Sequence, residues 1–181
     1  MNAPVAAQDV LQSRVLHGLS IIDAVKKAGV EYVLSVPDLH TSKGLLYPIA
    51  DDKDLNLVRV CKEDECLGIS AGLTYGNKRS LILMQYTGFL YAMNAIRAVA
   101  CEYSFPAAMM IGMLGLEEGV APKESKKFGL KIIAPILETM QIPYEVIDTD
   151  ADIARIGPAI EHAYAHSHPT AFLIARRPLA S

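Results

Sequence analysis

The sequence has little cysteine and no long apolar run, and both shortages argue against whole classes of protein. Its 181 residues include three cysteines, Cys61, Cys66 and Cys101, with no CxxC spacing. This odd set predicts reduced thiols instead of a disulfide framework or a zinc site. No apolar stretch approaches the roughly 18 residues that span a bilayer, and the N-terminus lacks the features of a signal peptide. We expect a cytoplasmic protein without a membrane partner.

Charge of one sign and the common ligand motifs are also missing. The formal net charge is −3, with acids and bases mixed along the chain, so no stretch is basic enough to follow a nucleic acid. No GxGxxG, GxxxxGK[ST] or GxSxG motif occurs where it would bind a nucleotide or build a hydrolase elbow. His162 and His166 are one helical turn apart, but we favour a solvated helix end there and predict no metal site.

What is present is apolar. Hydrophobic residues make up 51% of the chain, and the mean hydropathy is +0.24. A parallel sheet buried on both faces explains this value, as does a large face hidden in an oligomer. We expect both.

Short apolar segments alternate with helical patterns along the chain. The predicted strands cover residues 32–36, 55–60, 81–85, 107–112, 144–147 and 171–175. The predicted helices cover residues 9–28, 45–50, 63–75, 88–100, 130–140 and 152–165. This alternation predicts one α/β domain over residues 1–181, with three layers and a mostly parallel sheet of about six strands. Ligands of such sheets bind beyond the carboxyl ends of the strands, which directs attention to residues 37–43, 61–65, 85–88 and 113–127.

Several of these segments carry a pattern in a fixed order. The segment CKEDECLGISAGLTYGNK places Glu63 at a helix start, nine residues before Gly72. It is followed by LILMQYTGFLYAMNAI, IGMLGLEEG and LKIIAPILETMQIPY, and preceded by VPDLH. Together they resemble the pyrimidine-binding domain of thiamin-diphosphate enzymes, in the branch that contains sulfopyruvate and phosphonopyruvate decarboxylases. The likeness extends over about residues 19–143.

The resemblance implies a role for Glu63. In that family a glutamate at this position bonds the aminopyrimidine ring of the cofactor and shares a proton with it, which favours the tautomer that activates the reacting carbon. Apolar neighbours help to keep a protonated carboxyl available. Gly72 would let the helix pack closely. Glu65 is the second choice, and a plain helix cap is the alternative for this acidic turn.

Other positions follow from the same resemblance. Gln85, Thr87 and Gly88 are expected to contact the cofactor or substrate, against the alternative of a hydrogen-bonded strand end. Asp38 and His40 are expected to be catalytic, because either can relay a proton after carbon dioxide departs. The alternative is an aspartate in a local turn and a solvent-facing histidine, and the residues leave both open.

The chain departs from the family at the substrate pocket. Relatives that act on sulfonates or phosphonates carry an arginine where Leu114 stands, and a leucine cannot replace the guanidinium fork. Tyr86 and Phe89 would make the pocket more apolar. We therefore expect a substrate less charged than sulfopyruvate. The same loop carries Lys123, Lys126 and Lys127, for which we favour solvent exposure over substrate contact.

The diphosphate anchor of this enzyme class, a GDG motif, does not occur in the sequence. The resemblance therefore implies a separate β subunit that carries this motif and holds Mg²⁺. The chain is interpreted as the α subunit of a hetero-oligomeric, thiamin-diphosphate-dependent 2-oxoacid decarboxylase that is active only with its partner. The alternatives are a non-catalytic binding or regulatory domain of the same fold, and a nucleotide-binding domain with an unusual phosphate loop.

Overall fold

The computed structural model describes residues 14–180. Within them, six strands form one sheet in the order β2-β1-β3-β4-β6-β5, and every pair of neighbours is parallel. The strands are β1 (Val30–Ser35), β2 (Asn56–Arg59), β3 (Arg79–Gln85), β4 (Ala108–Gly112), β5 (Tyr144–Ile147) and β6 (Thr170–Ile174). The predicted α/β class is confirmed, and each predicted strand lies within two residues of an observed one.

Helices cover both faces of the sheet. They are α1 (Gly18–Lys27), α2 (Tyr47–Asp51), α3 (Glu63–Tyr75), α4 (Tyr86–Tyr91), α5 (Met93–Ala95), α6 (Phe128–Lys131), α7 (Ile133–Thr139) and α8 (Ile156–His166). Wider π turns precede α2 (Ser42–Leu46) and follow α5 (Ile96–Glu102). Short 3₁₀ turns span Pro122–Glu124 and Asp150–Arg155.

The alternation of side chains along β3 separates two buried clusters. Leu81 and Leu83 belong to the cluster under α1, α2 and α8. Ile82 and Met84 belong to the cluster under α3, α4 and α7. Because successive strand residues point to opposite faces, a strand covered on both sides is apolar at every position. The high hydropathy of the chain follows in part from this burial.

The predicted start of the first helix is wrong in the described part of the chain. Residues 14–17 are not helical, and α1 begins at Gly18; the predicted turns over residues 9–13 lie outside the described residues. His17 instead forms a parallel bridge with Leu179, and the Gly18 amide donates to the Leu179 carbonyl at 2.9 Å. A Cβ at Gly18 would lie 1.7 Å from the Gly44 carbonyl oxygen, so this close approach of backbones requires glycine.

Two other predicted helices are interrupted. The helix predicted over residues 88–100 begins earlier, at Tyr86, and breaks at Ala92. The helix predicted over residues 130–140 is divided into α6 and α7 at Ile132. Pro135 explains the second break, because its ring nitrogen cannot donate to the carbonyl of the fourth residue before it. Across residues 14–180, no helix combines the length and the apolar character needed to cross a membrane.

Candidate active site

The strand order places the candidate residues at one edge of the sheet. The chain passes from β1 to β2 on one side and then to β3 on the other, so the connections after β1 and β3 leave the sheet in opposite directions. Ligands of open α/β sheets bind in the crevice that such a reversal creates. Here the loop after β1 carries Asp38 and His40, and β3 ends at Gln85.

Glu63 is the first residue of α3, directly after the turn that ends β2. Its side chain lies against Gly88 in α4, where an added Cβ would stand 2.5 Å from both Cγ and Oε1 of Glu63. Only a glycine leaves this space. The Glu63 carboxylate is half-buried, and no hydrogen bond to it is found among residues 14–180.

The capping role in this turn belongs to Glu65. Its Oε2 accepts hydrogen bonds from the backbone amides of Cys61 at 3.0 Å and Lys62 at 3.3 Å. These two amides need an acceptor because they precede the helix. The carboxylate of Glu63 is therefore not used to start the helix, and it remains available to a ligand.

The neighbouring thiol is not a nucleophile. Burial, followed by the negative charges of Glu63 and Glu65, raises the pKa of Cys66 to about 12. A thiol with such a pKa is protonated at neutral pH and unreactive.

One structural expectation about α3 is wrong within the described chain. A Cβ added at Gly72, or at Gly68 one turn earlier, would meet no atom within 4 Å. Gly72 therefore does not let α3 pack closely on a neighbouring element among residues 14–180. The glycine that Glu63 requires is Gly88, which is distant in sequence.

Gln85 and Thr87 lie beside this contact at the end of β3. The Gln85 amide donates to the Thr87 hydroxyl at 2.9 Å, and Thr87 is exposed while Gly88 is buried. The structure thus brings Gln85, Thr87 and Gly88 together with Glu63. The structure is also consistent with the alternative of a hydrogen-bonded strand end, since the side chains of Gln85 and Thr87 bond each other.

Asp38 organises its own loop. One carboxylate oxygen accepts from the backbone amides of His40 at 2.5 Å and Thr41 at 2.7 Å. The other accepts from the Thr41 hydroxyl at 2.5 Å. These are the local turn bonds that the sequence left open as an alternative.

His40 is buried, so the alternative of a solvent-facing histidine is wrong. It is 5% exposed, its Nε2 lies 2.9 Å from the Ile174 carbonyl oxygen, and its ring lies over Gly112. A carbonyl only accepts, so Nε2 carries the proton and Nδ1 keeps its lone pair. Burial lowers the pKa of His40, which keeps the ring neutral at physiological pH.

The two groups of residues are neighbours at the same edge. Gln85 is in register with Gly112 on the adjacent strand, and adjacent strands are about 4.8 Å apart. The contact of Glu63 with Gly88 lies just beyond the end of β3. His40 lies over Gly112, the last residue of β4. The arrangement places a carboxylate without a hydrogen bond among residues 14–180 and a neutral imidazole at the ends of neighbouring strands.

A cavity of about 300 Å³ opens beside His40. It is lined by His40, residues 114–120, Asp148 and residues 175–177. These belong to the segments after β1, β4, β5 and β6. Arg176 and Arg177 were not predicted from the sequence as candidate residues, although the rule that ligands bind at the carboxyl ends of strands also applies to the segment after the last strand.

Two of the three loop lysines have their ammonium groups bonded within the protein. The Lys127 ammonium donates to the Gly115 carbonyl at 2.6 Å, and Lys123 pairs with Glu138. Lys126 uses its backbone amide to bond Glu117 at 3.2 Å. Between residues 14 and 180, no group of three or more metal-ligating side chains converges.

Comparison with known proteins gives consistent relatives, although no family model matches the chain. The α subunit of sulfopyruvate decarboxylase from Methanococcus maripaludis is 30% identical over 157 residues, which cover 86% of this chain and 92% of the relative. The protein of the same name from Methanocaldococcus jannaschii is 28% identical over 156 residues, 86% and 90% of the two chains. A third, from Methanothermobacter thermautotrophicus, is 26% identical over 133 residues, 74% and 79% of the chains. The chain belongs to the family of sulfopyruvate decarboxylase α subunits, and so to the subunits of a decarboxylase, which is a carboxy-lyase.

Proposed function

We propose that this chain is the α subunit of a two-chain, thiamin-diphosphate-dependent 2-oxoacid decarboxylase, and that its substrate is sulfopyruvate. The observation that carries the proposal is the carboxylate of Glu63, which lies on Gly88 while Glu65 caps the helix. Because Glu65 already caps this helix start, the half-buried Glu63, whose carboxylate has no hydrogen bond among residues 14–180, remains available to a ligand. The relatives' name supplies the substrate, and sulfopyruvate replaces the less charged substrate that Leu114 led us to expect.

The residues at the crevice fit the cofactor by their chemistry. When bound, thiamin diphosphate supplies a thiazolium carbon that attacks the 2-oxoacid and takes up the electron pair left by departing carbon dioxide. Glu63 would hold a proton between its carboxylate and the ring nitrogen of the aminopyrimidine. Gln85, Thr87 and Gly88 would form the wall beside that ring, and the buried Gly88 keeps the carboxylate in place.

His40 supplies the proton relay in this proposal. Its Nε2–H is fixed on the Ile174 carbonyl, so Nδ1 is the atom that takes up a proton from solvent and passes it to the substrate carbon from which carbon dioxide has departed. A buried, neutral imidazole suits both steps because it carries no proton on Nδ1 beforehand. Asp38 acts through His40, since its carboxylate fixes the loop by accepting from the His40 amide.

The partner chain completes the site. No GDG motif occurs in the sequence, so we assign the diphosphate and Mg²⁺ to a separate β subunit, and the chain to a single pyrimidine-binding domain. Leu39, between Asp38 and His40, is 77% exposed, and Asp64 Oδ1 is buried without a hydrogen-bond partner among residues 14–180. A second chain at this edge could cover Leu39 and bond the unsatisfied Asp64 oxygen.

The test is reconstitution with a GDG-containing partner. The chain alone should bind Mg²⁺–thiamin diphosphate at least about 100-fold more weakly than the pair, because two or more charge-assisted contacts of about 1.5–3 kcal/mol each are missing. It should also release no carbon dioxide from sulfopyruvate, whereas the pair should do so. Titration calorimetry and a carbon dioxide assay measure both. Tight Mg²⁺-dependent binding by the chain alone would refute the divided site, and a reconstituted pair that binds the cofactor without decarboxylating would favour a non-catalytic domain.

A further inference from the structure

The cavity beside His40 contains several charged side chains, and most of them are already paired. Arg176 donates to the Asp148 carbonyl at 3.0 Å and to Glu118 at 2.9 Å, and it also pairs with the Asp148 carboxylate. Glu117 accepts from the Ser125 hydroxyl at 2.7 Å. The acidic side chains that line the cavity are therefore each bonded to a donor, which reduces their repulsion of an anion.

Arg177 differs from these side chains. It is exposed, it lines the same cavity, and within residues 14–180 no hydrogen bond or ion pair holds its guanidinium. It stands three residues after Ile174, whose carbonyl accepts from His40. His40 and Arg177 line the same cavity; burial is the main cause of the lowered pKa of His40, and the positive charge of Arg177 adds to it.

Leu114 lines the cavity as well. This is the position where the sequence lacks the arginine expected for a tetrahedral anion. Arg177, in the segment after β6, thus lines the same cavity as Leu114, which stands where relatives carry an arginine after β4. Although position 114 carries a leucine, the cavity still has a guanidinium, that of Arg177, with no hydrogen bond or ion pair to any of residues 14–180.

We infer that Arg177 is the specificity-determining residue that binds the sulfonate, the second anionic group of the substrate, in place of an arginine at position 114. The inference rests on the proposed function. A guanidinium offers two parallel N–H donors to a tetrahedral oxyanion, which is the geometry that a lysine cannot reproduce. Because the neutral His40 lines the same cavity as Arg177, the 2-oxoacid end can reach the imidazole while the sulfonate is held at the guanidinium.

The experiment compares substrates in the reconstituted pair. The ratio of kcat/KM for sulfopyruvate to kcat/KM for 2-oxobutyrate, which has an uncharged end, should fall roughly 10- to 100-fold in Arg177→Gln. Arg177→Lys should recover part of the ratio, because it restores the charge without the fork. Lys53→Gln, which removes an exposed cation before β2, is the matched control and should leave the ratio unchanged. A merely structural role for Arg177 would lower both rates together and leave the ratio as it was, which would overturn the inference.

If the pair decarboxylates neither substrate, the proposed function fails. A binding measurement then tests the anion site by itself. In that case titration calorimetry compares sulfoacetate with acetate. Tighter binding of sulfoacetate that is lost in Arg177→Gln upholds the anion site. Equal binding of the two probes, or a preference that survives in Arg177→Gln, overturns it.

Discussion

At the residue scale, the carboxylates in the first turn of α3 make different contacts. Glu65 accepts from the amides of Cys61 and Lys62, which is the bond that the N-terminus of a helix needs. Glu63, two positions earlier, points to Gly88. A sequence of three consecutive acids does not reveal this division, because each of them is favourable beside the positive end of the helix dipole.

Burial of His40 lowers the free energy of unfolding at acidic pH. The folded-state pKa of His40 lies below the ordinary value of 6.5, so between the two pKa values the unfolded chain binds a proton that the folded chain does not. The free energy of unfolding therefore decreases as the pH falls from 6.5 through the folded-state pKa, by at most about 1.4 kcal/mol per pH unit. Above 6.5 this contribution to stability is fully present.

We predict that His40→Gln removes this part of the acid destabilisation. The glutamine amide can still donate to the Ile174 carbonyl, so the hydrogen bond is kept while the titrating group is lost. Urea unfolding at about pH 7.5 and about pH 5.5 measures the difference. His168→Gln, at an exposed position, is the control and should retain the wild-type difference. An equal loss in both variants would show that burial of His40 does not govern the slope.

At the scale of elements, Arg176 connects three of the segments that form the cavity. It follows β6, bonds the Asp148 carbonyl after β5, and bonds Glu118 after β4. Parallel strands leave their connecting loops side by side at the carboxyl edge, and a single guanidinium with several donors can bridge them.

We predict that Arg176→Gln lowers the free energy of unfolding by about 1 kcal/mol, because a glutamine cannot reach both loops. Arg177→Gln, at the next position, should change it by less than about 0.5 kcal/mol, since this side chain is exposed. Urea denaturation of the two variants and the wild type is the measurement. If Arg177→Gln were the more destabilising of the two, the assignment of Arg176 to structure and Arg177 to the ligand would be reversed.

The strands were predictable because their burial requires continuous apolar segments in the sequence. A strand between two layers of helices is apolar at every position, as Leu81, Ile82 and Leu83 are, and it stands out from polar loops. Glu63 as the first residue of α3 was predicted correctly for a similar reason, since a polar turn and an acidic run precede an apolar helix.

The contacts across the edge were not predictable from one sequence. The neighbours of Glu63 and His40 are Gly88 and Ile174, and neither lies in the same segment as its partner. The burial of His40 depends on the position of β6, which is 134 residues further along the chain. The pairing of residues 16–18 with Leu179 likewise overrode a helical pattern, because tertiary contacts outweigh local preference.

At the scale of the whole molecule, the sheet is covered on both faces while its carboxyl edge is open to a ligand. Two buried clusters account for the faces. The edge presents Glu63, His40 and Arg177 within one set of neighbouring loops. In the proposal, an edge with these groups and without a diphosphate anchor is half of a site, and a partner chain supplies the other half.

The central claim is that the carboxyl of Glu63 activates the cofactor, and Glu63→Gln tests it. The amide has the same shape and still fits beside Gly88, but it cannot share a proton with the ring nitrogen. The loss of a charge-assisted bond of about 2–4 kcal/mol corresponds to a rate lower by roughly 30- to 1000-fold. Glu65→Gln is the control, since it alters the cap and should lower stability by no more than about 1 kcal/mol.

The measurement is deuterium exchange at the C2 proton of thiamin diphosphate, followed in the complex of this chain with its β subunit. The account predicts exchange slowed by roughly 30- to 1000-fold in Glu63→Gln, with the wild-type rate retained in Glu65→Gln. A wild-type rate in Glu63→Gln, or a defect confined to Glu65→Gln, would contradict it.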